Sequence, residues 1–308
     1  MRATSSHHTT AHRWAIALLF ITPALWSVNY LVGRLAPGSI APHMLALLRW
    51  TGAGLLLAVF AWPELVAKRA QLLHQAWRYL VLGALGMWIC GAWVYIGARS
   101  TVATNIALIY ALSPVLIALA SVLWLRERLG KLQWLGIAMA LGGLVHVVIK
   151  GQWTQLAKVQ WVAGDAWILA CTVAWTVYSI LLKRWPSDFS PLARLVLICV
   201  GGMTVLVPLT WIEAVSGLPM TRTVWDLKTS LLVVAAALLP GAGAYLAYAT
   251  IQKELGAARA SLTLYLGPLY AAGVAWWVLG EPIALYHAVG AAVILPAIFL
   301  ATHGPKNQ

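Results

Sequence analysis

The side chains of this chain that could do chemistry are ones that recognise a molecule rather than react with it. Arg49 stands inside the apolar run HMLALLRWTGAGLLLA, where a guanidinium is expensive unless it is paired or can reach the interface. Two roles are open to it: gripping a carboxylate on a small molecule, or bonding carbonyls at the outer end of its own helix. Aromatic and polar residues recur at similar depth in other apolar runs. They are Trp26, Asn29 and Tyr30, Trp88 and Tyr95, Tyr110, Trp175, Tyr178 and Ser179, Tyr245 and Tyr248, and Tyr265. Trp88 and Tyr95 are seven apart and so share a helix face. Rings can stack on flat groups and hold a cation over their faces. A tyrosine at that depth can equally satisfy a neighbouring carbonyl. As a group these residues outline a binding site for a small amphipathic substrate.

Two prolines interrupt runs of the same kind, Pro114 in NIALIYALSPVLIALASVLWL and Pro268 in RASLTLYLGPLYAAGVAWWVL. Each lacks an amide donor and presses on the carbonyl four residues back, that of Tyr110 or Leu264. In lipid a freed carbonyl is costly unless something polar reaches it. A substrate ammonium or a cavity water would serve, and so would a neighbouring Ser or Thr at a plain kink. A further break is Pro240-Gly241-Ala242-Gly243, whose counterpart is the glycine-rich stretch holding Gly83, Gly86 and Gly91. Gly86, Pro240 and Gly243 read either as points of close helix packing or as hinges.

Bond-making chemistry finds no support. The sequence has no paired carboxylates, no HExxH and no CxxC, so it offers no catalytic residue, no metal site and no cofactor. A filter-like loop or the charged rings of an ion channel are likewise missing. All eight acidic residues lie near the ends of apolar runs or between them. A relay of buried carboxylates is poorly supported, and the reading favours substrate running down its own gradient. His146 and His287 could titrate, but near helix ends they read as hydrogen-bonded groups.

The elements that carry these residues follow from composition. Of 308 residues, 62% are hydrophobic and 9% charged, and the mean hydropathy is +0.82. Soluble domains are about 25% charged, so the solvent here is lipid. Ten runs are long enough to cross a bilayer as helices, at 14–33, 43–63, 78–98, 102–125, 131–149, 164–183, 191–213, 228–252, 258–279 and 283–302. They are called spans 1 to 10. Connections are short, and the longest, around 150–163, has room for one interfacial turn or short helix. The first span lacks a cleavage site. Cys90, Cys171 and Cys199 fall inside spans and read as packing residues.

The net charge of +13 is a topology signal rather than a nucleic-acid footprint. With the N-terminus inside, alternate loops divide Lys and Arg 13 to 6, and the richer side is the cytoplasm. Both termini are then cytoplasmic. Trp14, Trp62, Trp77, Trp124, Trp134, Trp153, Trp161, Trp185, Trp211 and Trp225 lie near span ends, as an aromatic belt does.

The prolines belong to a repeat. Thirteen residues after each comes a glutamate, Glu127 or Glu281, then a helix with glycine at the same place, Gly136 or Gly290, and one offset of 154 relates the sets. With an offset of 149, Trp26-Ser27-Val28 matches Trp175-Thr176-Val177, Arg34 matches Lys183, and Pro42 matches Pro191. The halves, 1–150 and 151–308, hold five spans each. Five is odd, so the second inserts upside down. The expected fold is an all-α membrane protein of ten transmembrane helices in two inverted five-helix repeats. Glu127 and Glu281 become helix-end staples, Glu127 with Arg126, Arg128 and Lys131 beside it.

The segments ALWSVNYLVGR, HMLALLRWTGAGLLLA and ALSPVLIALASVLWLRERLGKLQWLGIAMALGGL resemble the first repeat of EamA-type members of the drug/metabolite transporter superfamily. LYLGPLYAAGVAWWVLGEPIALYHAVGAAVIL resembles the matching part of the second repeat. The resemblance implies an inverted five-plus-five architecture and export or exchange of small organic metabolites. Within the family the chain looks most like the bacterial aromatic amino acid exporters. It departs from the pattern at Ile198, which stands where the second repeat would repeat Arg49. The expected protein is a monomeric, alternating-access inner-membrane transporter of aromatic or large neutral amino acids working by facilitated diffusion, or else a broad exporter of drugs and metabolites, for which proton coupling stays open. Its partners are a small-molecule substrate and the lipid bilayer, not nucleic acid.

Overall fold

The computed structural model describes residues 3–216, 223–279 and 282–303. Glu281 lies outside the described residues, as does the side chain of Tyr30. Among the described residues nine helices are long and apolar enough to cross a membrane. Span 1 is Ala3–Leu35 and span 2 is Pro42–Ala67. Span 5 is Lys131–Val148, span 6 Ala163–Arg184, span 7 Pro191–Val215 and span 10 Leu285–His303. Spans 2 and 7 both start with proline at the first helical position, where its missing amide costs nothing.

The other spans are interrupted where the sequence breaks them. Span 4 is Ala103–Ala111 followed by Ser113–Leu125, with Leu112 between them bonding Ile109 three residues back at 3.1 Å. The stretch expected as span 9 comes as three pieces, Ala257–Ser261, a 3-10 segment Leu262–Leu266, and Gly267–Leu279. Pro268 cannot donate to Leu264, so the turn ahead of it tightens. Spans 3 and 8 each contain a π-helical stretch, Ala84–Trp93 and Ala237–Gly243. These wide turns begin 153 residues apart. Between spans 5 and 6 lies one short 3-10 helix, Trp153–Lys158.

Alternating connections give the bundle two ends. At one, Val224 bonds the Ser39 carbonyl and Asn105 bonds the Gln160 carbonyl. At the other, Lys68 bonds the Asp188 carbonyl, Glu64 accepts from Ser190, and Arg184 bonds the Trp124 carbonyl. The main apolar core is built by spans 1, 2, 3, 6, 7 and 8 with Ile117 and Ala120 of span 4 and Ala257 and Ala260 of span 9, and a second cluster joins spans 4, 5, 9 and 10. In the second, spans 5 and 10 touch through glycines. A Cβ on Gly136 would fall 2.6 Å from the Ala297 carbonyl oxygen, and one on Gly290 2.1 Å from Val147 Cγ2. Outside, Leu55, Val59, Phe60, Leu123, Val207, Leu231 and Phe299 are exposed, an apolar belt that acyl chains would cover. Eight of the ten expected interfacial tryptophans are exposed, all but Trp134 and Trp185.

Candidate functional site

The two halves meet in a nest of rings. Trp26 of span 1 lies 5.6 Å from Trp175 of span 6, and 6.2 and 5.5 Å from Tyr245 and Tyr248 of span 8, centroid to centroid. Trp175 stacks on Tyr178 at 5.2 Å and meets Tyr245 and Tyr248 at 5.5 and 5.1 Å. The two tyrosines of span 8 sit three residues apart and so share a face. Gly86 makes room for the nest, since a Cβ there would fall 2.9 Å from the Tyr178 ring. Each tyrosine of span 8 has its hydroxyl satisfied: Tyr245 donates to the Gly86 carbonyl at 3.0 Å, and Tyr248 exchanges with Ser179 Oγ at 3.1 Å.

Beside the rings lies Arg49. It is 95% buried, with its Cζ 4.6 Å above the Trp50 ring, and Trp50 in turn meets Tyr245 at 4.7 Å. The guanidinium donates to Asn29 Oδ1 at 3.2 Å and to the Pro240 carbonyl at 3.0 Å. Among the described residues no carboxylate pairs with it. Its Nε has no acceptor, and neither has Trp175 Nε1, although both atoms are buried. Buried donors without acceptors are uncommon because each forgoes its bond to water. Arg49 is thus an uncompensated cation with a donor to spare. Asn29 Oδ1 also accepts from Tyr95 at 3.3 Å, and Tyr95 lines a cleft of about 220 Å³ with Gly33, Ala36, Pro42 and Arg99. One hydrogen-bonded chain therefore links that cleft to Arg49.

Not all the expected residues gather here. Tyr110 of span 4 reaches the Cys171 thiol of span 6. Tyr265 is buried in the cluster of spans 4, 5, 9 and 10, with its hydroxyl unpartnered. Pro114 and Pro268 mark the breaks of spans 4 and 9, outside the rings. Trp88 meets Trp93 at 5.3 Å and bonds His43, while Tyr95 turns to Asn29, so the residues seven apart serve different partners across the wide turn. Gly243 is packed on Leu25, whose Cδ1 would lie 3.2 Å from an added Cβ. Glu127 caps the start of span 9, accepting from the Ala257 and Ala258 amides at 3.1 and 3.5 Å. Its expected partners Arg126, Arg128 and Lys131 form no ion pair with it among the described residues. Glu127 stands two residues past the end of span 4, and the free amides and positive end of the dipole at the start of span 9 favour a carboxylate there.

Sequence reasoning missed Trp50, whose indole bonds the Met87 carbonyl at 3.1 Å, and the pair His43 and Glu213. Trp50 carried a signal: it lies mid-span, away from the belt where most tryptophans sit.

A nest of rings beside a buried guanidinium is an arrangement that can hold a small molecule with a flat or apolar group and an acceptor for the cation. The chain belongs to the EamA-like transporter family, whose sequence profile matches residues 13–149 and again 162–302. The family lies within the drug/metabolite transporter superfamily, and its members are transporters rather than enzymes. The chain is similar to the uncharacterized transporter YyaM of Bacillus subtilis (strain 168), 27% identical over 89% of this chain and 87% of that one. It is also similar to a probable terminal-alkyne amino-acid exporter of Streptantibioticus cattleyicolor, 27% identical over 93% of this chain and 92% of that one. A solved crystal structure shares the fold, with a TM-score of 0.73 at 20% identity, over 94% of this chain and 96% of the other.

Proposed function

We propose that the protein is an alternating-access exporter of small amphipathic metabolites that carry a carboxylate and a large apolar or aromatic group, above all aromatic and large neutral amino acids. The observation that carries this reading is Arg49, a buried cation with no carboxylate partner among the described residues, set against a nest of rings. A substrate carboxylate supplies the missing acceptor, and the rings take the side chain. The amino-acid exporter among the relatives supports the substrate class. Matched wide turns in spans 3 and 8, matched prolines in spans 4 and 9, and a family profile that fits twice all support two inverted halves working against each other.

The basic bias of the loops supports an inner-membrane orientation with cytoplasmic termini. Cysteines placed at 127 and 281 should then react from opposite sides of the membrane. Transport is tested in proteoliposomes by counterflow of labelled phenylalanine against a cationic dye. Saturable phenylalanine counterflow, with the dye excluded, is the expected result. Dye counterflow without phenylalanine would replace this reading with a broad drug exporter.

A further inference from the structure

The His43 imidazole joins three spans and makes none of the contacts described for the rings or Arg49. Its Nδ1 lies 3.0 Å from Glu213 Oε1 of span 7, and its backbone amide donates to Glu213 Oε2 at 3.0 Å. On the other side of the ring, Trp88 Nε1 of span 3 donates to Nε2 at 3.4 Å. Both members of the His–Glu pair are largely buried, at 13% and 11% exposure.

The indole nitrogen is a donor only. His43 Nε2 must therefore present a lone pair, which puts the single ring proton on Nδ1, directed at Glu213. A second proton can bind only at Nε2, and the imidazolium so formed offers Trp88 nothing to bond. Proton and indole compete for one lone pair. We propose that His43 Nε2 is a proton-binding site whose occupancy is linked to transport through release of Trp88.

The linkage has a physical path. The wide turn of span 3 is gripped at three successive residues: Tyr245 holds the Gly86 carbonyl, Trp50 holds the Met87 carbonyl, and His43 holds Trp88. The first grip comes from the ring nest of the other half, the second from the neighbour of Arg49, and the third is titratable. A proton at His43 removes the third grip, and it turns the His43–Glu213 contact between spans 2 and 7 into a full ion pair. One protonation thus loosens span 3 and tightens span 2 on span 7. Imidazole is the side chain whose charge changes between about pH 5 and 8. The sequence reading weighs carboxylates, His146 and His287, and leaves coupling open; the site here is built on a different histidine.

Other ionisable groups on the packed elements have partners of their own. In span 3, Arg78 lies over the Trp77 ring, Tyr79 meets Gln75 and Ser187, and Tyr95 bonds Asn29. Tyr245 and Tyr248 of span 8 bond Gly86 and Ser179. On span 2, Arg49 bonds Asn29 and Pro240, and Glu64 pairs with Lys68. On span 7, Arg194 bonds the Trp185 carbonyl at the far end, and Cys199 is buried in the core. In span 3, Cys90 donates to the Cys171 carbonyl. At the head of span 8, Lys228 holds Ser39 Oγ and Asp226 caps Thr229, and the wide turn Ala237–Gly243 carries no ionisable side chain.

The proposal rests on the transport reading, and two measurements separate them. The first needs no substrate: histidine imidazoles labelled with ¹⁵N are titrated in micelles. The His43 signal is assigned by its loss in His43→Gln or, should that variant fail to insert, by its shift in Glu213→Gln. With its competitor gone, Trp88→Phe should move the midpoint of that signal to higher pH. The second is phenylalanine counterflow across about pH 5 to 8. The wild-type rate should change several-fold, and His43→Gln should keep counterflow with a flat profile. A His43 signal indifferent to Trp88→Phe, or a wild-type pH profile in His43→Gln, overturns the proposal. A signal that responds to Trp88→Phe, beside no counterflow by the wild type, would sink the transport reading and leave the proton site standing.

Discussion

Arg49 of span 2 donates to the carbonyl of Pro240 in span 8 at 3.0 Å. A guanidinium that is 95% buried is thus held by the wide turn of span 8. A carbonyl and an amide oxygen solvate a guanidinium only partly, and a buried cation without a counter-anion lowers stability. Such a residue makes sense where a ligand completes it.

Arg49→Lys keeps the charge but loses the planar fork that can bond Asn29, Pro240 and a carboxylate together. The loss of about 1.5 kcal/mol expected for one charge-assisted bond is roughly tenfold in apparent affinity. Half-saturation of phenylalanine counterflow measures it. An unchanged value would remove Arg49 from the substrate.

Trp26 touches three rings of the other half. Trp26→Ala should weaken counterflow by roughly tenfold, the scale of a few aromatic contacts at about 0.5–1.5 kcal/mol each. Tyr110→Ala should do less, because the Tyr110 hydroxyl is engaged by the Cys171 thiol. Equal losses in the two variants would mean that the substrate path follows span 4 instead.

Tyr265 has a fully buried hydroxyl with no partner among the described residues. Tyr265→Phe should raise stability by about 1 kcal/mol, the penalty of an unmade bond. Thermal unfolding in detergent reads this directly, and a lower midpoint would reveal a partner for the hydroxyl.

Gly136→Ala places a methyl 2.6 Å from the Ala297 carbonyl oxygen, against backbone that cannot swing aside. Spans 5 and 10 must part, at about 1–3 kcal/mol. A lowered melting temperature with normal counterflow per folded molecule is expected. A loss of flux greater than the loss of folded protein would give these spans a part in transport.

What could be read from the chain was what is local. Pro114 and Pro268 break their helices at the expected residues because the missing amide is a property of the residue itself. Gly136 and Gly290 announce a tight crossing for the same reason. Depth alone does not say which face of a helix a tyrosine takes, so it groups Tyr265 with the rings although Tyr265 is buried in the second cluster. Trp88 and Tyr95 serve different partners, because a wide turn changes the register that regular spacing assumes. His43 and Glu213, 170 residues apart, meet only because spans 2 and 7 pack side by side. Neither residue has a neighbour in sequence that hints at the other.

The two wide turns carry a mechanical consequence. Each holds a residue more than regular winding would use, and a coil with slack can be drawn tight. Ejecting one residue would rotate everything beyond it by about 100°, swinging Tyr245 and Tyr248 like the arm of a crank. A swing of that size needs no bending of the outer spans. The slack sits beside the ring nest, where a small rewinding moves the most side chains.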